Sequence, residues 1–280
     1  MRRYSGILFL LLVLLISSCY PGYKSAREYI KNHSDTILII PSYELFKDNL
    51  TIRYDSNAVY SPEQFDSIAW AQSLFIQHVS DSVFLTAYTN SLIKALSESG
   101  YTVFIIDSTE IPDSLPDSKW KITIAQLQLN EERTVDEIEM PQPDDYNYAI
   151  VTKPVNVNRV YLDSWFKVSP TGNDTSHVLY FEAWGEDSFS SETKRASGGF
   201  TRDTVIRDSI GMEKVYLLAE LMGEKHAELL FNYFLNKHII EKSPQGNFKN
   251  GYYYYIRKRK SLLYGLPDQF DHFEIMTPND

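Results

Sequence analysis

Cysteine is almost missing from this sequence: Cys19 stands alone among 280 residues. A single thiol excludes an intrachain disulfide framework, a cysteine-rich zinc site and an iron–sulfur cluster. Basic charge is also short, with 27 Lys plus Arg against 37 Asp plus Glu and a formal net charge of −10. Phosphate binding draws on a basic surplus, so no nucleic acid is expected as a partner. The familiar catalytic signatures are missing: there is no Gly-x-Ser-x-Gly elbow, phosphate loop, dinucleotide fingerprint or His-Glu-x-x-His. The six histidines are scattered. His226 and His238 share an expected helix but stand about 18 Å apart along it, too far to share a metal ion. His226 lies on an apolar stripe and reads as a hydrogen-bonded core residue. No catalytic residue, metal or cofactor is therefore expected, and the chain reads as non-enzymatic. What is present, 43% hydrophobic and 23% charged residues, is ample for a packed core.

The longest apolar run, Ile7–Ile16, has ten residues. As a helix it rises about 15 Å, half of the roughly 30 Å needed to cross a bilayer. Preceded by Arg2 and Arg3 and followed by Ser17-Ser18-Cys19, it reads as a signal peptide over 1–18. Ile16-Ser17-Ser18-Cys19 resembles a bacterial lipobox. The resemblance implies lipidation of Cys19, loss of residues 1–18 and consumption of the sole thiol. Lipoproteins of this class carry three acyl chains, and at about 0.8 kcal/mol per buried CH₂ that is a durable anchor. Tyr20 differs from the Asp of an inner-membrane retention signal, and residues 20–25 lack an acidic surface-export cluster. The outer membrane, with the protein facing the periplasm, is the expected address. Asp followed by Ser or Thr and then by an apolar residue or Thr recurs at Asp35, Asp66, Asp81, Asp107, Asp113, Asp203 and Asp208. This resembles the O-glycan acceptor pattern of Bacteroidota, although such pairs also serve as helix caps and turns.

Residues 19–35 read as a lipidated tether, 36–242 as a single α/β domain and 243–280 as a C-terminal extension. Thr36–Ile40 is a buried strand stopped by Pro41, and a short strand is expected around Leu50–Tyr54. Ser61-Pro62-Glu63-Gln64 starts a helix, with Ser61 as the N-cap and Gln64 at the third position. A second helix runs from about Asp81 to Glu98 and is closed by Gly100 before the strand Tyr101–Ile106. Strand, helices and strand predict a βαβ unit with parallel pairing. Trp120–Leu129 alternates with a slip near Ala125–Gln126 that predicts a bulge. Residues 155–184 read as an antiparallel hairpin, 185–211 as a long loop or flap, and about Met212–Ile239 as a closing helix. The fold class is α/β (α+β): a mixed sheet, an N-terminal βαβ unit, an antiparallel hairpin and a long C-terminal helix.

The lipobox, the strand Ile-Leu-Ile-Ile-Pro and a helix ending Leu-Ser-Glu-Ser-Gly-Tyr form a recognisable combination. Over residues 36–130 it resembles the small α/β lipoproteins related to the curli-secretion and penicillin-binding-protein-activator lipoproteins. The resemblance implies an accessory or scaffold subunit of an envelope complex, with an envelope protein as partner. The tail offers a surface for it: Tyr252, Tyr253, Tyr254 and Tyr255, then Arg257 and Arg259 within a basic run. Completion of the sheet fits the same tyrosines. The acidic segment Glu131–Asp145 reads as a solvated loop. Glu182 and Glu186 mimic a hydrolase pair but lack a partner across a cleft. A second function, from another class, is a glycan- or peptidoglycan-fragment-binding module, which requires a concave site lined by Trp and Tyr, with Trp120, Trp165 and Trp184 as candidates.

Overall fold

The β-branched run after Asp35 forms β1 (Thr36–Ile40), and the sheet buries it on both faces. Ile37 and Ile39 join the main core, while Leu38 and Ile40 join Phe104 and Ile106 in a second cluster. The computed structural model describes residues 22–51, 61–107, 118–143, 148–172, 175–195, 201–242 and 251–276. Cys19 and the signal segment lie outside the described residues, and no described helix is long and apolar enough to cross a membrane.

The chain enters through α1 (Tyr23–Asn32), passes β1 and reaches β2 (Phe46–Asn49). Two helices follow, α2 (Pro62–Gln72) and α3 (Asp81–Glu98). The Ser61 hydroxyl accepts from the Gln64 amide while the Gln64 side chain accepts from the Ser61 N–H, a reciprocal capping box. Gly100, at φ 101°, ends α3 with backbone bonds back to the last turn. The next strand, β3 (Thr102–Ile105), lies parallel to β1 and completes the βαβ unit. The other flank of β1 is the start of β4 (Trp120–Pro143), also parallel, and β2 lies parallel to β4 further along. Antiparallel pairing then adds β5 (Tyr148–Pro170) and β6 (His177–Glu186), with a register shift between Ile124 and Gln126 where the alternation slips. After the ribbon of β7 (Ser188–Arg195) and β8 (Thr201–Asp208) comes α4 (Met212–Lys242). A hairpin of β9 (Tyr252–Ile256) and β10 (Ser261–Gly265) follows, and β11 (Glu274–Met276) pairs with β6. The result is a mixed α/β sheet ordered β11-β6-β5-β4-β1-β3, with β2 beside β4.

One face of this sheet is covered by helices. Ile122, Leu127, Val160, Phe166 and Leu179 pack with Phe84 and Leu92 of α3 and Leu229 and Phe234 of α4 in one core. Trp120 stacks on Phe234 at 4.6 Å. The alternation of β4, β5 and β6 sends their other side chains to the opposite face.

Several sequence expectations are corrected. Residues 23–32 of the expected tether form α1, whose Ala26 and Tyr29 are buried against α4 in the core. The short strand lies at Phe46–Asn49, earlier than expected, and residues 52–60 are outside the described residues. The acidic segment through Pro143 is strand, not loop. From Arg133 to Glu139 the helix-facing side chains of β4 are exposed, so this stretch runs beyond the helical layer and buries none of these charges. The exception in the acidic segment is Glu131, which is fully buried and whose carboxylate accepts from the Leu74, Phe75 and Ile76 amides and the Ser73 hydroxyl. It satisfies the backbone of the turn joining α2 to α3. Residues 188–208, expected as a loop, carry the β7–β8 ribbon, fastened at buried Asp187. That carboxylate accepts from Asn158 N at 2.9 Å and Ile210 N at 2.7 Å and is paired with Arg207. Burial pushes its pKa up, but these donors outweigh burial and hold it below the usual carboxylate range.

Candidate functional site

The face of β4, β5 and β6 opposite α3 and α4 collects aromatic and polar side chains into cross-strand rows. The register sets Gln126 opposite Trp165 and Trp165 opposite Tyr180, with Glu274 of β11 beyond. The next row is Gln128, Asp163 and Glu182, then Asn130, Tyr161 and Trp184, then Glu132, Arg159 and Glu186. Phe46 and Asp48 of β2 extend the second and third rows. Residues directly opposite lie about 4.5–5.5 Å apart at Cβ, so each row is a contact set. The Trp165 and Tyr180 rings sit 5.1 Å apart, and those of Tyr161 and Trp184 6.5 Å apart. Trp184 is 56% exposed.

Hydrogen bonds lock this grid. Gln126 donates to Gln128, Gln128 to Asn130 and Asn130 to the Asp163 carboxylate, at 3.0, 3.0 and 2.6 Å. The Tyr180 hydroxyl donates to the other Asp163 oxygen at 2.7 Å and lies 3.4 Å from Glu182. Tyr161 donates to Glu132, and Arg159 bonds Tyr161, Glu186 and Asp136. Burial first, and then the neighbouring Asp163 charge, raise the Glu182 carboxyl above its ordinary range. Burial and the hydrogen bond to Asp163 likewise raise the Tyr180 phenol. The arrangement presents fixed aromatic rings beside preordered carboxylate and amide oxygens. Glu182 and Glu186 lie on this one face, Glu182 beside Tyr180 and Glu186 with Arg159, and they do not oppose each other across a cleft.

No family model matches the chain, and no curated protein matches it.

The tryptophans divide. Trp165 and Trp184 share the open face, whereas Trp120 points into the helix-covered core. Asp163, Tyr161 and Tyr180 escape sequence reasoning as site residues. The strict alternation of 159–167 and 178–186 is the signal that places them with the tryptophans.

The tail residues are used mostly inside the fold. Tyr253 is wholly buried, and Asn236 of α4 bonds both its N–H and its carbonyl. Asn232, one turn earlier, accepts from the Tyr255 N–H at 2.7 Å. Two helix amides thus clamp the edge of β9. Tyr254 is buried, stacks on Phe270 at 5.2 Å and donates to Glu228. Tyr252 and Tyr255 are half-buried. Arg257 donates to Glu98 at 2.9 Å and to the Ala95 carbonyl at 3.0 Å, capping the end of α3. Arg259 alone of the six expected partner-binding residues is exposed. As a correction, Tyr253 and Tyr254 are core and sheet-completing residues, because the apolar face of α4 needs a cover that the main sheet does not supply.

A cavity of about 680 Å³ lies between α3, α4, β6 and this hairpin, lined in part by His33, Leu221, Phe231, Tyr255 and, from β6, Glu182 and Trp184. Six of its charges form pairs, Arg257 with Glu98, Lys225 with Asp271 at 2.6 Å and Lys258 with Glu224 at 3.6 Å, while Glu228 accepts from Tyr254. Beside it His33 places one ring nitrogen 2.8 Å from the Tyr29 carbonyl and the other 2.6 Å from the Ser99 carbonyl, tying α1 to α3. His226 is the expected core histidine, buried among Phe166, Phe181 and Phe273 and bonded at 2.6 Å to Tyr88. Among the described residues, no group of three His, Cys, Asp or Glu is placed to hold a metal ion.

Proposed function

We propose that this protein is a non-enzymatic lipoprotein of the outer membrane, anchored through Cys19 and facing the periplasm, that binds glycan on the open face of β4–β6. The observation that carries the reading is the grid itself: Trp165 with Tyr180 and Trp184 with Tyr161 bracket Asp163 and Glu182. Aromatic rings offer large contact area at low entropic cost, and fixed oxygens accept from hydroxyls. The side chains around them are already held by hydrogen bonds, so little ordering remains to be supplied on binding.

The test is a titration of the full chain in detergent against soluble oligosaccharides, followed by tryptophan fluorescence. A saturable change is expected with at least one oligosaccharide, and Trp184→Ala should weaken that binding at least tenfold without lowering the unfolding temperature. Equal binding by Trp184→Ala would remove the site from this face.

The accessory-subunit reading keeps one specific observation. The β9–β10 turn presents Lys258, whose side chain is 85% exposed, beside exposed Arg259 and Lys260. Affinity purification of Arg259→Ala beside the unaltered chain tests it, and unchanged recovery of an envelope protein would remove the turn as its contact.

A further inference from the structure

The open face has a sign as well as a shape. Its rows carry Glu132, Asp163, Glu182, Glu186 and Glu274, with Asp48 at the β2 border. The one cation within them, Arg159, is held by Glu186 at 2.6 Å and Asp136 at 3.2 Å. The amide groups of Gln126, Gln128 and Asn130 run as a directional chain that ends on Asp163, so their free valences are directed as fixed, uncharged partners. The two ring pairs are separated by one row: Tyr180 and Trp184 are four residues apart on β6, about 13 Å along the strand.

We infer that this face selects an uncharged oligosaccharide over an anionic one, with one sugar stacked at Trp165–Tyr180, another at Trp184–Tyr161 and the hydroxyls between them donating to Asp163 and Glu182. The inference rests on the glycan reading above and adds the ligand class. A carboxylate, sulfate or phosphate on the glycan meets the carboxylates of the middle row, where Arg159 is already paired and the exposed Lys167 stands two rows away beyond Trp165, and like charges in a binding face are a strong negative selector. Hydroxyls meet the reverse situation, because a carboxylate oxygen accepts a hydrogen bond that is shorter and stronger than a neutral one. The spacing of the two ring pairs requires a chain of sugars and excludes a monosaccharide as the full ligand.

The test compares matched chains on the full-length protein in detergent: the hexamers of N-acetylglucosamine, glucose and mannose against hexagalacturonate. One neutral hexamer should bind at least about tenfold tighter than hexagalacturonate, and its monosaccharide should bind at least tenfold more weakly than the hexamer. The Asp163→Asn/Glu182→Gln double variant should narrow the neutral-to-anionic ratio to about threefold or less. Raising the salt should strengthen hexagalacturonate and leave the neutral hexamer unchanged, a check that needs no variant, since screening weakens exposed charge repulsion. Hexagalacturonate binding as tightly as every neutral hexamer, or a ratio indifferent to both salt and the double variant, overturns the selectivity while leaving glycan binding intact. No binding by any hexamer, with hexalysine bound instead, overturns the glycan reading itself and assigns the face to a basic peptide.

Discussion

His226 shows what a single buried residue does to the whole stability curve. Burial, and then the Lys225 charge, push its pKa down from 6.5 to about 3. The folded protein therefore keeps the ring neutral at pH values where the unfolded chain protonates it. Below about pH 6.5 the unfolded state binds a proton that the folded state refuses, so stability falls as pH falls, by up to about 1.4 kcal/mol per pH unit. The loss continues until the folded pKa is reached. The Tyr88 hydroxyl satisfies Nδ1, whereas Nε2 is buried without a partner. Replacing both members by apolar rings of similar shape removes the polar groups together. Tyr88→Phe/His226→Phe should thus match the unaltered protein near pH 8 to within about 1 kcal/mol. It should be the more stable of the two at pH 4.5, about two pH units into the loss that His226 causes. Urea unfolding at the two pH values decides this, and parallel pH curves for both proteins would contradict the assignment. His226→Ala, by contrast, opens a cavity among Phe166, Phe181 and Phe273 and should cost about 3 kcal/mol or more near pH 8, and less at pH 4.5, where it also removes the acid penalty of the histidine.

At the scale of elements, the seam between α3 and α4 depends on one glycine. A Cβ built on Gly223 lies 2.5 Å from the Tyr88 carbonyl oxygen and 2.8 Å from the Leu92 nitrogen, both backbone atoms that cannot rotate away. Ser91 donates to the Glu220 carbonyl at 2.7 Å across the same contact. Gly223→Ala gains helix propensity of about 1 kcal/mol yet should be net destabilising by roughly 1–3 kcal/mol, because the helices must separate. A rise in melting temperature for this variant would contradict the close crossing. The seam is barely legible in the sequence, where Gly223 is a lone glycine in a helical pattern. β1, the capping box at Ser61 and the Ala125–Gln126 slip are legible, because each follows from local chemistry: β-branched burial, side-chain capping and phase. The β7–β8 ribbon and the far halves of β4 and β5 are less so, because among their described residues little beyond Val157 is buried and the apolar period is weak. Their strands are held by backbone pairing, and at Asp187 by one buried carboxylate. The candidate site is half legible. Alternation fixes which residues share a face, but only the pairing register brings Trp165 to Tyr180 and Trp184 to Tyr161.

The molecule as a whole closes through its C-terminus. The tail reads in sequence as an extension because its tyrosines precede a basic run, and local pattern does not reveal that α4 is apolar on more than one side. In the structure Tyr253, Tyr254 and Phe273 join the same core as β1 and α4, and β11 caps the free edge of β6. This separates two variants that a tail-as-interface view treats alike. Tyr253→Ala removes a fully buried ring and should cost about 3–5 kcal/mol. For a protein of this size that lowers the melting temperature by on the order of 10 °C. Arg259→Ala changes an exposed side chain and should leave the melting temperature within about 1 °C. Deletion of residues 251–280 removes both the exposed Lys258–Lys260 turn and the cover of α4, so loss of a partner on deletion does not separate the two, and only variants that melt normally report on contacts. Differential scanning fluorimetry of the two single variants decides the point. Equal and normal melting of both would return Tyr253 to the surface and the tail to the role of a free arm.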